Sequence, residues 1–193
     1  MLIFRFIAIL ALVAAGSGNP TYKGPIQFGT FGVIRPLPVK ALLRQLGKPA
    51  SGKSPFCYRY GESAYLRINR IEEQPESAGE LLVSSIPICP IDAVAETGTD
   101  FRSWKTGEGI ALGATKEDLL REYGRPTSVE KPDHVTDRRF FSDYAPRMHP
   151  TIPIAREVLL YNGVLKGLPE SWRSARFGIW NDKVTWIMLT IDD

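Results

Sequence analysis

The chain has 193 residues, of which 44% are hydrophobic, 10% aromatic and 23% charged, a composition that excludes disordered and collagen-like chains. Twenty-four Lys and Arg against 21 Asp and Glu leave a formal charge of +3, too small to make nucleic acid or a membrane surface the default partner. The length admits one domain or two small ones.

Residues 1–15 read MLIFRFIAILALVAA. One basic residue, Arg5, then an apolar run ending in small residues matches a secretory signal peptide, with Val13 and Ala15 at the −3 and −1 positions of the cleavage site. A run of about ten apolar residues is short of the ~20 that a spanning helix needs. The chain is therefore expected to be exported, periplasmic or secreted, with no membrane span after removal of the leader. An oxidising compartment gives Cys57 and Cys89 a reason to pair as a disulfide. Closing that loop corresponds to roughly 3 to 4 kcal/mol of chain entropy; the alternative is two separate buried thiols.

The next feature in chain order is a repeat. At an offset of 77, residues 32–51 and 109–128 share seven of twenty positions without a gap, including Leu42/Leu119, Leu43/Leu120, Arg44/Arg121, Gly47/Gly124 and Pro49/Pro126. Each copy reads as a short amphipathic helix. The first opens at Pro38, carries Val39, Leu42, Leu43 and Leu46, and stops at Gly47 and Pro49. The second opens on a Thr115/Asp118 capping box and stops at Gly124 and Pro126. After the first helix, alternation predicts strands over 56–60, 65–71 and 80–86, with a tight turn at Gly61-Glu62. After the second it predicts strands over 139–143, 157–161, 176–180 and 183–191, with a hairpin turn at Asn181-Asp182. The expected fold class is α+β: two tandem modules, each a helix on an antiparallel sheet. They would span 25–90 and 106–193, joined by a connector over 91–105, with a loop inserted at 130–156.

The stretches GIALGATKEDLLREYGRPT, EVLLYNG and RFGIWNDKVTWIMLT resemble the helix-turn-sheet module of two groups of bacterial envelope proteins. These are the outer-membrane assembly small lipoproteins (SmpA/OmlA) and the β-lactamase inhibitor protein family. GVIRPLPVKALLRQLGKPA and FCYRYGESAYLRI look like a degenerate copy of the same module. The resemblance implies a tandem module whose sheet forms a protein-binding face, without catalysis. The chain departs from the lipoproteins in having no Cys for lipidation near the leader.

Motifs for other chemistry are set aside on mechanism. Residues 47–54, GKPASGKS, match the phosphate-loop pattern, but that chemistry needs a strand before the loop and a helix after it, and the predicted order here is the reverse. His134 and His149, with Asp133, Asp137 and Asp143, lack metal-ligand spacing. No G-x-S-x-G elbow is present, and neighbouring carboxylates such as Glu72-Glu73 point to opposite faces of a strand. No cofactor, nucleotide, metal or catalytic residue is therefore assigned. Interfaces are enriched in Trp, Tyr and Arg, and Trp172, Arg173, Arg176, Trp180, Lys183 and Thr185 are the expected partner-binding residues. With a two-residue turn, Trp180 faces Lys183, so Arg176, Trp180, Lys183, Thr185 and Ile187 share the surface, while Phe177, Ile179, Val184, Trp186 and Met188 face the core. A slip of one residue would exchange some of these roles. The expected function is an exported, non-enzymatic module that binds another envelope or extracellular protein. The alternatives are an envelope hydrolase using His134 and His149, and a structural subunit of an envelope complex.

Overall fold

A computed structural model describes residues 21–29, 31–32, 37–89, 91–131, 155–166 and 168–192. The expected leader at 1–15, the expected strand at 139–143 and both histidines lie outside these residues. A short hairpin comes first, β1 (Gln27–Phe28) with β2 (Phe31–Gly32). Next come β3 (Leu37–Pro38), α1 (Val39–Leu46), β4 (Phe56–Tyr60), β5 (Ala64–Arg70) and β6 (Ser77–Ser84). The connector holds β7 (Val94–Glu96) between two single turns of 3-10 helix. The rest is α2 (Lys116–Tyr123), β8 (Ser128–Glu130), β9 (Glu157–Leu165), β10 (Leu168–Trp180) and β11 (Lys183–Asp192).

The expectation of two modules with separate sheets is overturned. One mixed, nine-stranded sheet runs β7-β4-β5-β6-β11-β10-β9-β8, with β3 added beside β6, and strand dominates over the two short helices. The joint is the antiparallel pairing of β6 with β11, from Ser84 opposite Trp186 to Glu80 opposite Thr190. A single hydrophobic cluster then spans both halves, from Phe56 and Leu66 through Leu81 and Leu189 to Phe177 and Tyr161. Two small sheets would each expose an edge at β6 and β11; pairing those edges satisfies their backbone groups and merges the cores. The connector also contributes a strand, because β7 pairs parallel to β4.

Both helices pack on one face of this sheet, through Val39, Leu42 and Leu46 of α1 and Leu119 and Tyr123 of α2. They begin and end 77 residues apart, at the positions the repeat aligns. Each stops at a glycine with positive φ, Gly47 at 92° and Gly124 at 71°, a region that a residue with a Cβ enters only at a cost. The carbonyls of these two caps are tied to the sheet in the same way: the Tyr58 hydroxyl donates to Gly47 O at 2.9 Å, and the Tyr161 hydroxyl to Gly124 O at 3.0 Å. The strand registers relate β4, β5 and β6 to β9, β10 and β11 by an approximate two-fold axis normal to the sheet, through the Leu82–Met188 pair. The repeat is thus an internal symmetry of one sheet.

The hairpin turn is where the sequence places it: Asn181 and Asp182 both take positive φ and Trp180 pairs with Lys183. The face assignment beyond it needs correction. Ile179 pairs with Val184 but Gly178 pairs with Trp186, so Thr185 is an extra residue, a β-bulge that inverts the alternation of β11. Ile187 and Leu189 therefore join Phe177, Ile179 and Val184 under the helices, and Trp186 and Met188 turn to the other face.

Candidate functional site: the far face of the sheet

The face opposite the helices is built by alternation. In β5, Leu66 and Ile68 enter the main core, which by strand alternation leaves Tyr65, Arg67 and Asn69 on the far side. The registers then line up residues across the strands. The central row reads Cys57, Arg67, Leu82, Met188, Arg176, Leu160 and Ser128. Beside it lies a wholly polar row of Asn69, Glu80, Thr190, Ser174 and Asn162. On the other side stand Tyr65, Ser84, Trp186, Gly178 and Val158. The two-fold axis carries Arg67 onto Arg176, one arginine on each side of Leu82 and Met188.

Arg67 is only 4% exposed and its Nη2 lies 2.7 Å from the Glu80 carboxylate, which also accepts from Asn69 Nδ2 at 2.7 Å. A buried guanidinium is tolerable only with such pairing. Ser174 Oγ and Asn162 Oδ1 are neighbours across β10 and β9, buried and without a hydrogen bond; leaving such a group unmet costs about 1–3 kcal/mol. A smaller apolar cluster occupies the same face, with Cys57, Tyr65, Leu82, Trp186, Met188 and Val158 under Ile88 and Cys89. Its cover is anchored by the Cys57–Cys89 disulfide.

The expected partner-binding residues divide between the two faces. Arg176 and Trp180 alternate on the far face, both half-buried, and the Arg156 guanidinium stands 4.9 Å from the centre of the Trp180 ring. Lys183 is exposed opposite Trp180, and Lys116 pairs with Glu157 nearby in sequence to Arg156. Thr185 is the bulge residue, its hydroxyl donating to Gly178 O at 3.2 Å. Trp172 pairs through its backbone with Asp192 and Val164. Arg173 is separated from this group: it is 2% exposed and belongs to the helix side of β10, where its charge acts on Tyr22. Burial raises the Tyr22 hydroxyl above the ordinary tyrosine value, and the Arg173 charge partly opposes this. The Tyr123 hydroxyl donates to Glu108 at 2.5 Å, and burial raises it too.

Sequence reasoning missed Arg67, Asn69, Glu80, Thr190, Ser174 and Asn162. The signal for two of them, Arg67 and Asn69, was present in AYLRINR, where Tyr, Arg and Asn alternate with Leu and Ile. Residues 47–54 follow α1 and precede β4, so this segment has no strand-loop-helix order for a phosphate. Among the described residues there is no group of three metal-ligating side chains, and no helix is long and apolar enough to cross a membrane. The large exposed apolar side chains among them are Ile26 and Val129. No family model, no curated protein and no solved structure matches the chain.

Proposed function

We propose that this is an exported, non-enzymatic protein that recognises another envelope or extracellular protein through the far face of its sheet, as an inhibitor or as an envelope-assembly factor. The observation that carries the reading is the side-chain content of that face: arginines, amides and hydroxyls in rows across five strands, bordered by Trp180 under Arg156. A sheet face dedicated to the core alone would be filled with apolar residues, as the helix side is. Support comes also from the leader-like residues 1–15, from the disulfide and from the likeness of both helix-turn segments to envelope-protein modules. Partner recognition would centre on Trp180 and Arg176, residue types that dominate interface energies.

The test is affinity capture from envelope and culture-fluid extracts with wild type, Trp180→Ala and Arg176→Ala proteins, each shown to be folded by circular dichroism. A specific protein retained by wild type and lost with either variant is the expected result. Equal retention by all three, or no specific protein, would exclude recognition through this face.

A further inference from the structure

A second surface lies at the outer side of α1. An open groove there is lined by Val39, Leu43 and Pro75 on its apolar side and by Lys40, Arg44 and Glu76 at its rim. The turn joining β5 to β6 is held beside the helix by the bond from Val39 N to Glu76 O at 2.8 Å, and is closed by Ser77 N to Gln74 O at 2.8 Å. Charge is segregated across the groove. Lys40 and Arg44 stand one helical turn apart on α1, and Glu72, Glu73 and Glu76 crowd the turn, all five exposed. Among the described residues none of these five forms an ion pair within the chain.

We propose that the occupant of this groove is a second copy of the same chain. A surface with a basic half, an apolar seam and an acidic half is complementary to itself under a two-fold rotation, the geometry of most homodimers. Rotation about an axis through the seam sets Lys40 and Arg44 of each copy against Glu72, Glu73 and Glu76 of the other. Leu43 and Pro75 of the two copies then meet between the charge clusters. The contact forms twice, so the number of cross-pairs doubles without any new type of interaction. Because these charges are exposed, the dimer is weakened by salt, whose screening length falls from about 10 Å at 0.1 M to about 3 Å at 1 M. The far face is left clear, so dimerisation and partner recognition are separable.

Sedimentation equilibrium of the purified protein over a concentration series tests this. Wild type is expected to dimerise at low salt and to dissociate progressively towards about 1 M salt. Lys40→Glu/Arg44→Glu makes the surface wholly acidic, and Glu72→Lys/Glu73→Lys/Glu76→Lys makes it wholly basic. Each variant alone should dimerise more weakly by on the order of a hundredfold, while an equimolar mixture should recover a heterodimer. A monomeric wild type at low salt, a dimer indifferent to both exchanges, or a mixture that stays monomeric would overturn the proposal. So would a different protein bound by monomeric wild type and released by the Lys40→Glu/Arg44→Glu exchange.

Discussion

Gly178 stands opposite Trp186, and a Cβ at that position would lie 2.0 Å from the indole Nε1. The indole therefore lies on the glycine backbone, and Gly178→Ala forces it to move or bends the strand. Overpacking of this kind costs about 1–3 kcal/mol; a lower denaturant midpoint together with altered tryptophan fluorescence is expected. The two cap tyrosines make a second prediction. Burial pushes the Tyr58 and Tyr161 hydroxyls up to about 12 from the ordinary value of 10. As pH rises past 10, the unfolded chain loses these protons while the folded chain keeps them, so stability falls between pH 10 and about 12. The double change Tyr58→Phe/Tyr161→Phe should flatten that fall. At neutral pH each change should cost about 0.5–1.5 kcal/mol for its lost bond to Gly47 O or Gly124 O, measurable by denaturation across a pH series. Nothing in the sequence marks either tyrosine as a cap anchor, since each bond crosses from a strand to a helix end more than ten residues away.

At the scale of elements, the two helices differ in how they begin. α2 carries a complete capping box, with Thr115 Oγ1 accepting from Asp118 N at 3.0 Å and the Asp118 carboxylate accepting from Thr115 N at 3.3 Å. The Thr115 hydroxyl bond, and then Arg121, hold the Asp118 carboxyl below its usual range. The stabilisation this implies is present at neutral pH and is lost as pH falls through that lowered value. α1 has no side-chain cap and starts instead from the pairing of Pro38 with Ser77. Thr115→Ala should therefore cost about 1 kcal/mol, read as a shift in thermal midpoint, with no counterpart at Pro38. Both helices and the Asn181-Asp182 hairpin were legible because caps, stops and turn residues act over four or five positions. The bulge at Thr185 was not. Its register is set by tertiary bonds, Ser85 N donating to Thr185 O at 2.9 Å and Val184 N to Ala114 O at 2.8 Å. Trp186 and Met188 changed faces with it.

At the scale of the molecule, the described residues form one nine-stranded sheet beside the short β1–β2 hairpin, with a main core under two helices and a smaller apolar cluster on the far side. The disulfide joins β4 to the segment that leads into β7, residues 32 apart. Its removal by Cys57→Ser/Cys89→Ser should lower stability by about 3 to 4 kcal/mol through the freer unfolded chain, and denaturant titration would measure it. Since the main core is continuous across the β6–β11 joint, unfolding should remain a single transition, with tryptophan fluorescence and circular dichroism coinciding. Local signals alone determined the two helices, the main strands, the Asn181-Asp182 turn and the equivalence of the two halves. Each of these depends on residues that are neighbours along the chain, so spacing and propensity were sufficient. The tertiary structure decided that the halves share one sheet, that β7 enters it, and that Trp186 and Met188 lie on the face opposite the helices. Those outcomes turn on which unpaired strand edges meet and where one extra residue is accommodated, and edge pairing between positions about a hundred residues apart leaves no periodic trace in the sequence.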